Sequence, residues 1–156
     1  MPFSPNDLQI KRLHKKDVRI ARQLFILLQD IFAADDKTIP ENSYLKSLLD
    51  NFSFICFAAI YKDEVIGGST AYELPMYFSA CAEIYIYDIA VKPGYQRMGV
   101  GKNLLSAIND YATQTGIKTV FVDACESDEH ALDFYRSTTA AEERVIQFTY
   151  INKGRN

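Results

Sequence analysis

Two periodicities of apolar residues run through the chain and predict a mixed α/β fold. Alternating or continuous apolar segments predict strands, and they fall at 8–13, 53–61, 64–74, 83–91, 119–124 and 143–151. Apolar residues at helical spacing predict helices at 17–32, 41–51, 100–116 and 127–137. The resulting order, β-α-α-β-β-β-α-β-α-β, indicates a mixed α/β sheet in a single domain that spans residues 1–156.

Turn signals separate these elements. Lys62 and Asp63 lie between two strand patterns and predict a hairpin turn. Gly67 and Gly68 fall inside the return strand, which indicates a bulge or a close approach of another backbone. Gly116 follows the longest helical pattern and is expected to end that helix.

Composition and charge narrow the class of protein. The 156 residues are 48% hydrophobic, which is enough for a packed core. The formal net charge is −3, whereas nucleic-acid-binding domains are usually strongly basic, so no nucleic-acid partner is expected. A net negative charge favours a cationic small-molecule substrate instead.

The cysteines and the N-terminal residues indicate the cellular compartment in which the protein is expected. The three cysteines form no CxxC pair, so they indicate neither a disulfide framework nor a zinc site. The start of the chain lacks the pattern of a signal peptide, and no apolar run is long enough to span a bilayer. We therefore expect a cytoplasmic protein without a membrane partner. Because His14 and His130 lack metal-ligand spacing, no metal is expected.

A glycine-containing turn, KPGYQRMGVG, joins the strand at 83–91 to the helix at 100–116. The first amides of a helix have no intrahelical partners and carry the positive end of its dipole, so they suit a phosphate group. The Walker motif fails because Val100 follows Gly99, and the dinucleotide motif fails because Leu104 stands where its third glycine belongs. A plain tight turn remains the alternative.

Asp88 is the second unusual feature, because it lies inside the apolar run IYIYDIAV. Burying an unpaired carboxylate is costly, so Asp88 needs either a partner or a chemical task. A hydrogen bond from a neighbouring Tyr or backbone amide would be the structural explanation. General-base chemistry would be the functional one.

The remaining pattern of the turn, Q-x-x-G-x-G between a strand ending in IAV and an amphipathic helix, resembles the acetyl-CoA motif of the GNAT N-acetyltransferase superfamily. The segments YELP, EIYIYDIAV and DACESDEHALDFYRS, followed by EERVIQF, resemble those of the aminoglycoside 3-N-acetyltransferases. The resemblance extends over residues 8–151 and implies the GNAT acyl-CoA N-acyltransferase fold.

The resemblance implies acetyl-CoA as co-substrate and direct transfer of its acetyl group to an amine, without a metal. It places the backbone of the strand end against the pantetheine arm and the turn against the pyrophosphate. The cofactor-binding residues implied are Ile89, Ala90, Val91, Gln96, Arg97, Met98, Gly99, Val100, Gly101, Lys102 and Asp128.

The resemblance also implies two catalytic residues. Asp88 is expected to face the substrate amine, as a base or as an anchor for the ammonium group. Tyr135 is expected to donate a proton or a hydrogen bond to the departing thiolate. An ordinary core aromatic is the alternative for Tyr135, and helix capping is the alternative for Asp128. Asp88, Glu83, Glu129 and Asp36 are the expected substrate contacts, with solvated positions as the alternative for Asp36.

The leading functional expectation is acetylation of a small polyamine-like substrate, at the 3-amino group of an aminoglycoside antibiotic, which gives antibiotic resistance by inactivation. The same chemistry on a polyamine, a peptide amine or another metabolite is the nearest alternative. A non-catalytic acyl-CoA-binding module is a further alternative. Because GNAT proteins often dimerise, a homodimer is also considered.

Overall fold

The computed structural model describes residues 2–154, which divide into two compact units with the boundary between Asp123 and Ala124. The first unit, residues 2–123, holds a five-stranded sheet and three α-helices. Its elements are β1 (Leu8–Arg12), α1 (Val18–Ile31), α2 (Asn42–Asp50), β2 (Phe54–Tyr61), β3 (Glu64–Pro75), β4 (Ala82–Val91), α3 (Val100–Thr115) and β5 (Val120–Val122).

The strands follow the order β1-β2-β3-β4-β5 across the sheet. Neighbouring strands are antiparallel except for β4 and β5, which are parallel and pair only from Ile84 to Ile86. The predicted mixed α/β fold is therefore confirmed. None of the helices in residues 2–154 is both long and apolar enough to cross a bilayer.

Helices cover both faces of this sheet. The buried residues of α3 recur every four positions, at Val100, Leu104, Ile108 and Ala112, and they pack with Ile84 of β4 in one apolar cluster. A second cluster on the opposite face holds the buried residues of α1 and α2. The amphipathic patterns thus place the sheet between α3 on one side and α1 with α2 on the other.

The two glycines of β3 mark a close approach of neighbouring groups, as predicted. A Cβ at Gly67 would lie 2.7 Å from the Ala90 carbonyl oxygen, and one at Gly68 would lie 2.4 Å from Leu24 Cδ1. Because these distances exclude any side chain, Gly68 lets α1 pack directly on the sheet, and Gly67 keeps β3 against the end of β4. The predicted hairpin turn is also confirmed, with positive φ at Lys62 and Asp63.

A β-bulge interrupts β4 at Tyr87. Thr70 of β3 pairs with Asp88 and Ala71 pairs with Ile86, which leaves Tyr87 without a partner in β3. An extra residue shifts the alternation of side chains by one position. Before the bulge Ile86 faces the α3 cluster, and after it Ala90 faces the cluster of α1 and α2.

The second unit, residues 124–154, contains one helix, α4 (Glu129–Arg136). Asp128 begins α4, and its carboxylate accepts a hydrogen bond of 3.0 Å from the Ala131 amide. The strand predicted over 143–151 is wrong for the single chain, because that segment has no regular secondary structure and its side chains are exposed. Its β-forming residues lack the paired neighbour that a strand requires.

Candidate active site

The glycine turn presents a row of free backbone amides at the start of α3. Within residues 2–154, the amides of residues 97–102 have no hydrogen-bond acceptor, and no side chain caps the helix. The Gln96 and Asn103 amides at either end are bonded to the carbonyl oxygens of Pro93 and Gly99. Such an array at the positive end of a helix dipole suits an anion.

Local backbone conformation shapes this turn. Arg97 and Gly99 both have positive φ, at 64° and 83°. A left-handed conformation costs a residue with a Cβ about 1–2 kcal/mol, so glycine is favoured at position 99. A Cβ there would meet only the Asn103 side chain, at 4.0 Å, so the space above the turn is open. Arg97 and Lys102 supply positive charge near the free amides.

Gln96 ties the turn to the preceding strand. Its side-chain Nε2 donates a hydrogen bond of 2.9 Å to the Val91 carbonyl oxygen. This bond joins the last residue of β4 to the start of the glycine turn. Gln96 therefore helps to fix the position of the turn relative to β4 through this hydrogen bond.

The end of β4 has one unpaired edge. Asp88 to Val91 pair with β3 on one side, but the pairing with β5 stops at Ile86. Within residues 2–123, the edge at Ile89, Ala90 and Val91 that faces away from β3 has no neighbouring strand. The backbone groups there are available to an extended ligand, and they lead directly into the amide-lined turn. The residues present thus fit a pantetheine arm followed by a diphosphate.

Asp88 is half-buried and is directed by the bulge to the face of the sheet that carries α1 and α2. The Thr70 hydroxyl donates a hydrogen bond of 3.0 Å to its Oδ2. Within residues 2–154, no Lys, Arg or His forms an ion pair with it. Burial raises the pKa of Asp88, and the Thr70 hydroxyl opposes part of that rise. The carboxylate has a neutral partner only and can still accept a proton or hold a cation.

Aromatic side chains surround Asp88 on the same face of the sheet. The Tyr87 ring lies edge-on to the rings of Tyr72 and Tyr85, at 6.0 Å from each, and Tyr85 stacks on Phe121 at 5.1 Å. The Tyr85 hydroxyl donates a hydrogen bond of 3.1 Å to the Asp123 carboxylate. Burial raises the pKa of Tyr72 and of Tyr85, and the charge of Asp88 adds to both shifts.

These aromatic residues form a surface that the sequence patterns did not predict. We call Tyr72, Tyr85, Tyr87 and Phe121 the aromatic row. The pattern EIYIYDIAV predicted a strand, a family resemblance and a role for Asp88 but no role for the tyrosines, although these stand two residues apart beside Asp88. Electron-rich ring faces and the carboxylates of Asp88 and Asp123 together favour a cation.

The other predicted substrate residues of the first unit lie in different settings. Glu83 is partly buried near the start of β4 and pairs with Leu74 of β3. Asp36 is exposed in the loop after α1, and its carboxylate accepts hydrogen bonds from the Thr38 amide and hydroxyl. These hydrogen bonds lower the pKa of Asp36. Asp36 therefore helps to form its own loop, whether or not it also contacts a substrate.

In the second unit, α4 carries Asp128, Glu129 and Tyr135. Burial raises the pKa of Tyr135 to about 12, and the negative charge of Asp128 adds to the shift. The phenol is therefore protonated at neutral pH, and it has no hydrogen-bond partner within residues 124–154. Asp128 caps the helix, as its structural alternative predicted, and Glu129 is exposed in the first turn.

Comparison with known proteins decides the family. The model of the Acetyltransferase (GNAT) family matches residues 21–138. The chain belongs to the GNAT family. It is accordingly an acetyl-CoA-dependent N-acetyltransferase, and the turn that resembles the acetyl-CoA motif lies within the matched region.

Solved structures extend this relationship. The aminoglycoside acetyltransferase meta-AAC0020, from an uncultured soil metagenomic sample, was crystallised in complex with trehalose. It is 41% identical to this GNAT chain, with a TM-score of 0.92, and the match covers 96% of this chain and 99% of the other. Its complex with sisomicin gives 40% identity and a TM-score of 0.92, covering 95% and 98%.

Two more distant proteins are also similar to this chain. The uncharacterised N-acetyltransferase YhfO of Bacillus subtilis (strain 168) is 26% identical over 138 residues, which cover 87% of this chain and 91% of the relative. The aminoglycoside N-acetyltransferase AAC(6')-Iy in complex with CoA is 19% identical, with a TM-score of 0.76, and the match covers 92% and 94% of the two chains. The second likeness shows the fold alone.

Proposed function

We propose that this GNAT enzyme acetylates a primary amine of an aminoglycoside, at the 3-amino position, and thereby inactivates the antibiotic. The observation that carries the proposal is the structure of a 40% identical aminoglycoside acetyltransferase in complex with sisomicin, which matches this chain over 95% of its length. The acidic and aromatic surface around Asp88 supports a polycationic acceptor. Residues 1–156 would serve as one domain, since the family match spans both compact units.

Acetyl-CoA supplies the activated acetyl group for this reaction. The free amides of residues 97–102, with Arg97 and Lys102, would hold its diphosphate, and Gln96 would hold the turn in position. The unpaired edge at Ile89, Ala90 and Val91 would bind the pantetheine arm. A backbone amide on that edge would also stabilise charge on the thioester oxygen during the transfer.

Asp88 would receive the substrate amine. An ammonium group must lose a proton before it can attack a carbonyl carbon, and a carboxylate with a raised pKa is better placed to accept that proton than an ordinary one. Its hydrogen bond from Thr70 fixes the direction of the carboxylate. The aromatic row and Asp123 would hold the other ammonium groups of the acceptor. Glu83, which lies in β4 as Asp88 does, would contribute a further carboxylate. Asp36 and Glu129 would add negative charge for the same purpose.

Tyr135 would donate a hydrogen bond to the thiolate that leaves. A thiol has a pKa near 8.5, whereas the pKa of Tyr135 is about 12. Complete proton transfer from this phenol would cost about 5 kcal/mol, so hydrogen-bond donation is the favoured role. Asp128 would keep the phenol protonated, besides capping α4 and lying near the cofactor.

An amine panel with product analysis tests the proposal. Purified enzyme with acetyl-CoA is given sisomicin, gentamicin, spermidine or a peptide with a free N-terminus, and CoA release is measured. We expect release with both aminoglycosides and nuclear magnetic resonance signals of an acetyl group on the 3-amino nitrogen. Acetylation at another amine of the aminoglycoside would overturn the regiochemistry alone. Release with spermidine or the peptide but not with aminoglycosides would overturn the acceptor class.

The compartment forms part of the same proposal. Cys56, Cys81 and Cys125 are all free thiols in the structure, and two of them are exposed. Exposed free thiols persist best in a reducing environment. We therefore propose a cytoplasmic enzyme, which immunolocalisation or cell fractionation would test.

A further inference from the structure

The first unit contains a cavity that the proposed reaction does not use. Its volume is about 300 Å³, which lies at the lower end of the range for small-molecule sites. Its walls come from residues 12–16, where β1 leads into α1, and from residues 49–52 and 54, where α2 leads into β2. We call this space the basic cavity.

The strand register separates the basic cavity from the cofactor-binding turn. Phe54 lines the cavity and pairs with Tyr72 of β3. Val91 leads into the glycine turn and pairs with Gly67 of the same strand. Tyr72 lies five residues beyond Gly67, which corresponds to about 17 Å along β3. The cavity and the turn are therefore separate sites.

Positive charge dominates the walls of the basic cavity. Three cationic side chains line it, those of Arg12, Lys15 and Lys16, together with one carboxylate, that of Asp50. Asp50 is paired with Lys15 at 3.1 Å, whereas neither Arg12 nor Lys16 forms an ion pair with any of residues 2–154. The chain as a whole has a net charge of −3, so this positive excess is local. Two uncompensated cations beside one cavity favour an anion.

The Arg12 guanidinium is held in place without losing its charge. It lies over the Tyr111 ring, 4.2 Å from the ring centroid. The Tyr111 hydroxyl in turn donates a hydrogen bond to the Glu73 carboxylate, which fixes the ring. A guanidinium that stacks on a ring face keeps its charge for a further partner, and its fork of N–H donors matches the geometry of a phosphate group.

The walls also include apolar surface and one exposed aromatic ring. Leu13, Leu49 and Phe54 line the cavity, and each is at most 6% exposed. Phe52 lines it too and is 77% exposed, in the short connection between α2 and β2. Because aromatic rings pack favourably against one another, an exposed ring beside cationic side chains suits an anion with a flat aromatic part.

The charge of the basic cavity excludes the polycationic acceptor as its ligand. Phe54 packs against Tyr72 of the aromatic row, with the ring centroids 5.4 Å apart, so the two surfaces are neighbours. The aromatic row lies beside the carboxylates of Asp88 and Asp123, which attract a cation. The basic cavity has the opposite sign and repels one. Its ligand therefore belongs to a different chemical class.

We propose that the basic cavity binds a small anion that combines a phosphate group with a flat aromatic ring and has about the size of a nucleoside monophosphate. Arg12 and Lys16 bind the phosphate group, and the Phe52 ring stacks on the ring of the ligand. The buried leucines cover the apolar part of the ligand. This site does not depend on the acceptor that the enzyme acetylates.

Calorimetry on the full chain saturated with CoA tests the site, because bound CoA keeps other phosphates out of the glycine turn. The probes are adenosine monophosphate, adenosine and inorganic phosphate. We expect adenosine monophosphate to bind once per chain. Adenosine and phosphate should each bind at least about 10-fold more weakly, since each lacks one of the two recognised groups. No binding of adenosine monophosphate to the CoA-saturated enzyme, or equal binding of either fragment, would overturn the proposal.

Two exposed positions with matched controls locate the bound probe. Lys16→Glu and Phe52→Ala should each weaken adenosine monophosphate at least about 10-fold. Lys118→Glu makes the same charge change between α3 and β5, and Phe78→Ala removes a ring that is 68% exposed between β3 and β4. Neither control residue lines the cavity, so neither variant should change the affinity measurably.

Thermal unfolding shows whether all four variants are folded, which we expect because each changed side chain is exposed. An unchanged affinity in folded Lys16→Glu or in folded Phe52→Ala would overturn the proposal. An equal loss of affinity in a variant and in its control would also overturn it, because the effect would then not come from the basic cavity.

Discussion

The Thr70 hydroxyl donates a hydrogen bond of 3.0 Å to the Asp88 carboxylate, and a β-bulge at Tyr87 is the reason that the two side chains meet. Without the extra residue, Asp88 would follow the alternation of Ile84 and Ile86 into the apolar cluster beneath α3. The bulge moves it to the opposite face, beside the aromatic row. One inserted position thus converts a costly buried charge into a carboxylate that a substrate can reach.

Thr70 tunes the proton affinity of Asp88, and its removal should be visible in the pH dependence of catalysis. Thr70→Val removes a hydroxyl that lowers the pKa of Asp88, so that pKa should rise further. Because the proposed base must be deprotonated, the acidic limb of the profile of kcat/KM against pH should move to higher pH. Thr70→Ser keeps the hydroxyl and serves as the control. An unmoved limb in Thr70→Val, or an equal shift in both variants, would contradict the assigned role.

Asp88 should cost the enzyme stability at neutral pH. Its folded pKa lies above its unfolded value, so the native state binds more protons than the unfolded state in that window. Stability should therefore fall as the pH rises from about 4 through the folded pKa and should then level off.

Replacement of Asp88 by Asn removes this penalty. We expect Asp88→Asn to raise Tm at pH 7, and the gain should shrink as the pH falls towards and below about 4, where the carboxyl becomes protonated in both states. Thermal unfolding of the two proteins across this range measures the difference. A lower Tm of Asp88→Asn at neutral pH would show that the charged carboxylate stabilises the fold.

Gly99 should matter through its backbone conformation. Gly99→Ala places a Cβ on a residue with a φ of 83°, at a cost of about 1–2 kcal/mol, although the space around it is open. For a chain of this size, Tm should fall by about 3–6 °C. The affinity for CoA should also weaken, because the turn that presents the free amides is strained.

Gly94 offers a matched control within the same turn. A Cβ there would have no neighbour within 4 Å, and its φ is not positive. Gly94→Ala should leave Tm and CoA affinity nearly unchanged, as measured by thermal unfolding and calorimetry. Equal effects of the two substitutions would show that the conformation of Gly99 is not what shapes the turn.

Tyr135 should affect turnover more than cofactor affinity. A hydrogen bond to a charged group contributes about 1.5–3 kcal/mol, so Tyr135→Phe should lower kcat about 10- to 100-fold. The Kd for acetyl-CoA should change little, because the thiolate forms only during the reaction. Tyr111→Phe removes a phenol bonded to Glu73 in the first unit and controls for loss of a hydroxyl. A parallel loss of kcat and affinity in Tyr135→Phe would assign it a structural role.

Local sequence patterns were sufficient for much of the fold. The four-residue repeat of apolar positions in α3 ends at Gly116, whose φ of 76° suits a helix terminus, and both features were readable from the sequence. The Lys62–Asp63 turn and the tight packing at Gly67 and Gly68 followed from the same kind of local signal.

Features that depend on pairing between segments were not predictable from one sequence. The bulge at Tyr87 is defined only by the register of β3 against β4, and no residue type in the sequence predicts it. The aromatic row depends on that register too, so Asp88 was identified without its neighbours. The strand predicted at 143–151 is wrong for a related reason, since β-forming residues make a strand only where a neighbouring strand pairs with them, and the sequence pattern does not show whether one does.

Above all, we propose that this GNAT enzyme transfers acetyl from acetyl-CoA to an aminoglycoside amine held at Asp88. The most direct measurement is the initial rate of CoA release with sisomicin, for the wild type and for Asp88→Asn. We predict steady release by the wild type, a product one acetyl group heavier than sisomicin, and a loss of about 100-fold in Asp88→Asn. Absence of sisomicin-dependent release by folded wild-type enzyme that binds acetyl-CoA, or an unchanged rate in Asp88→Asn, would contradict the claim.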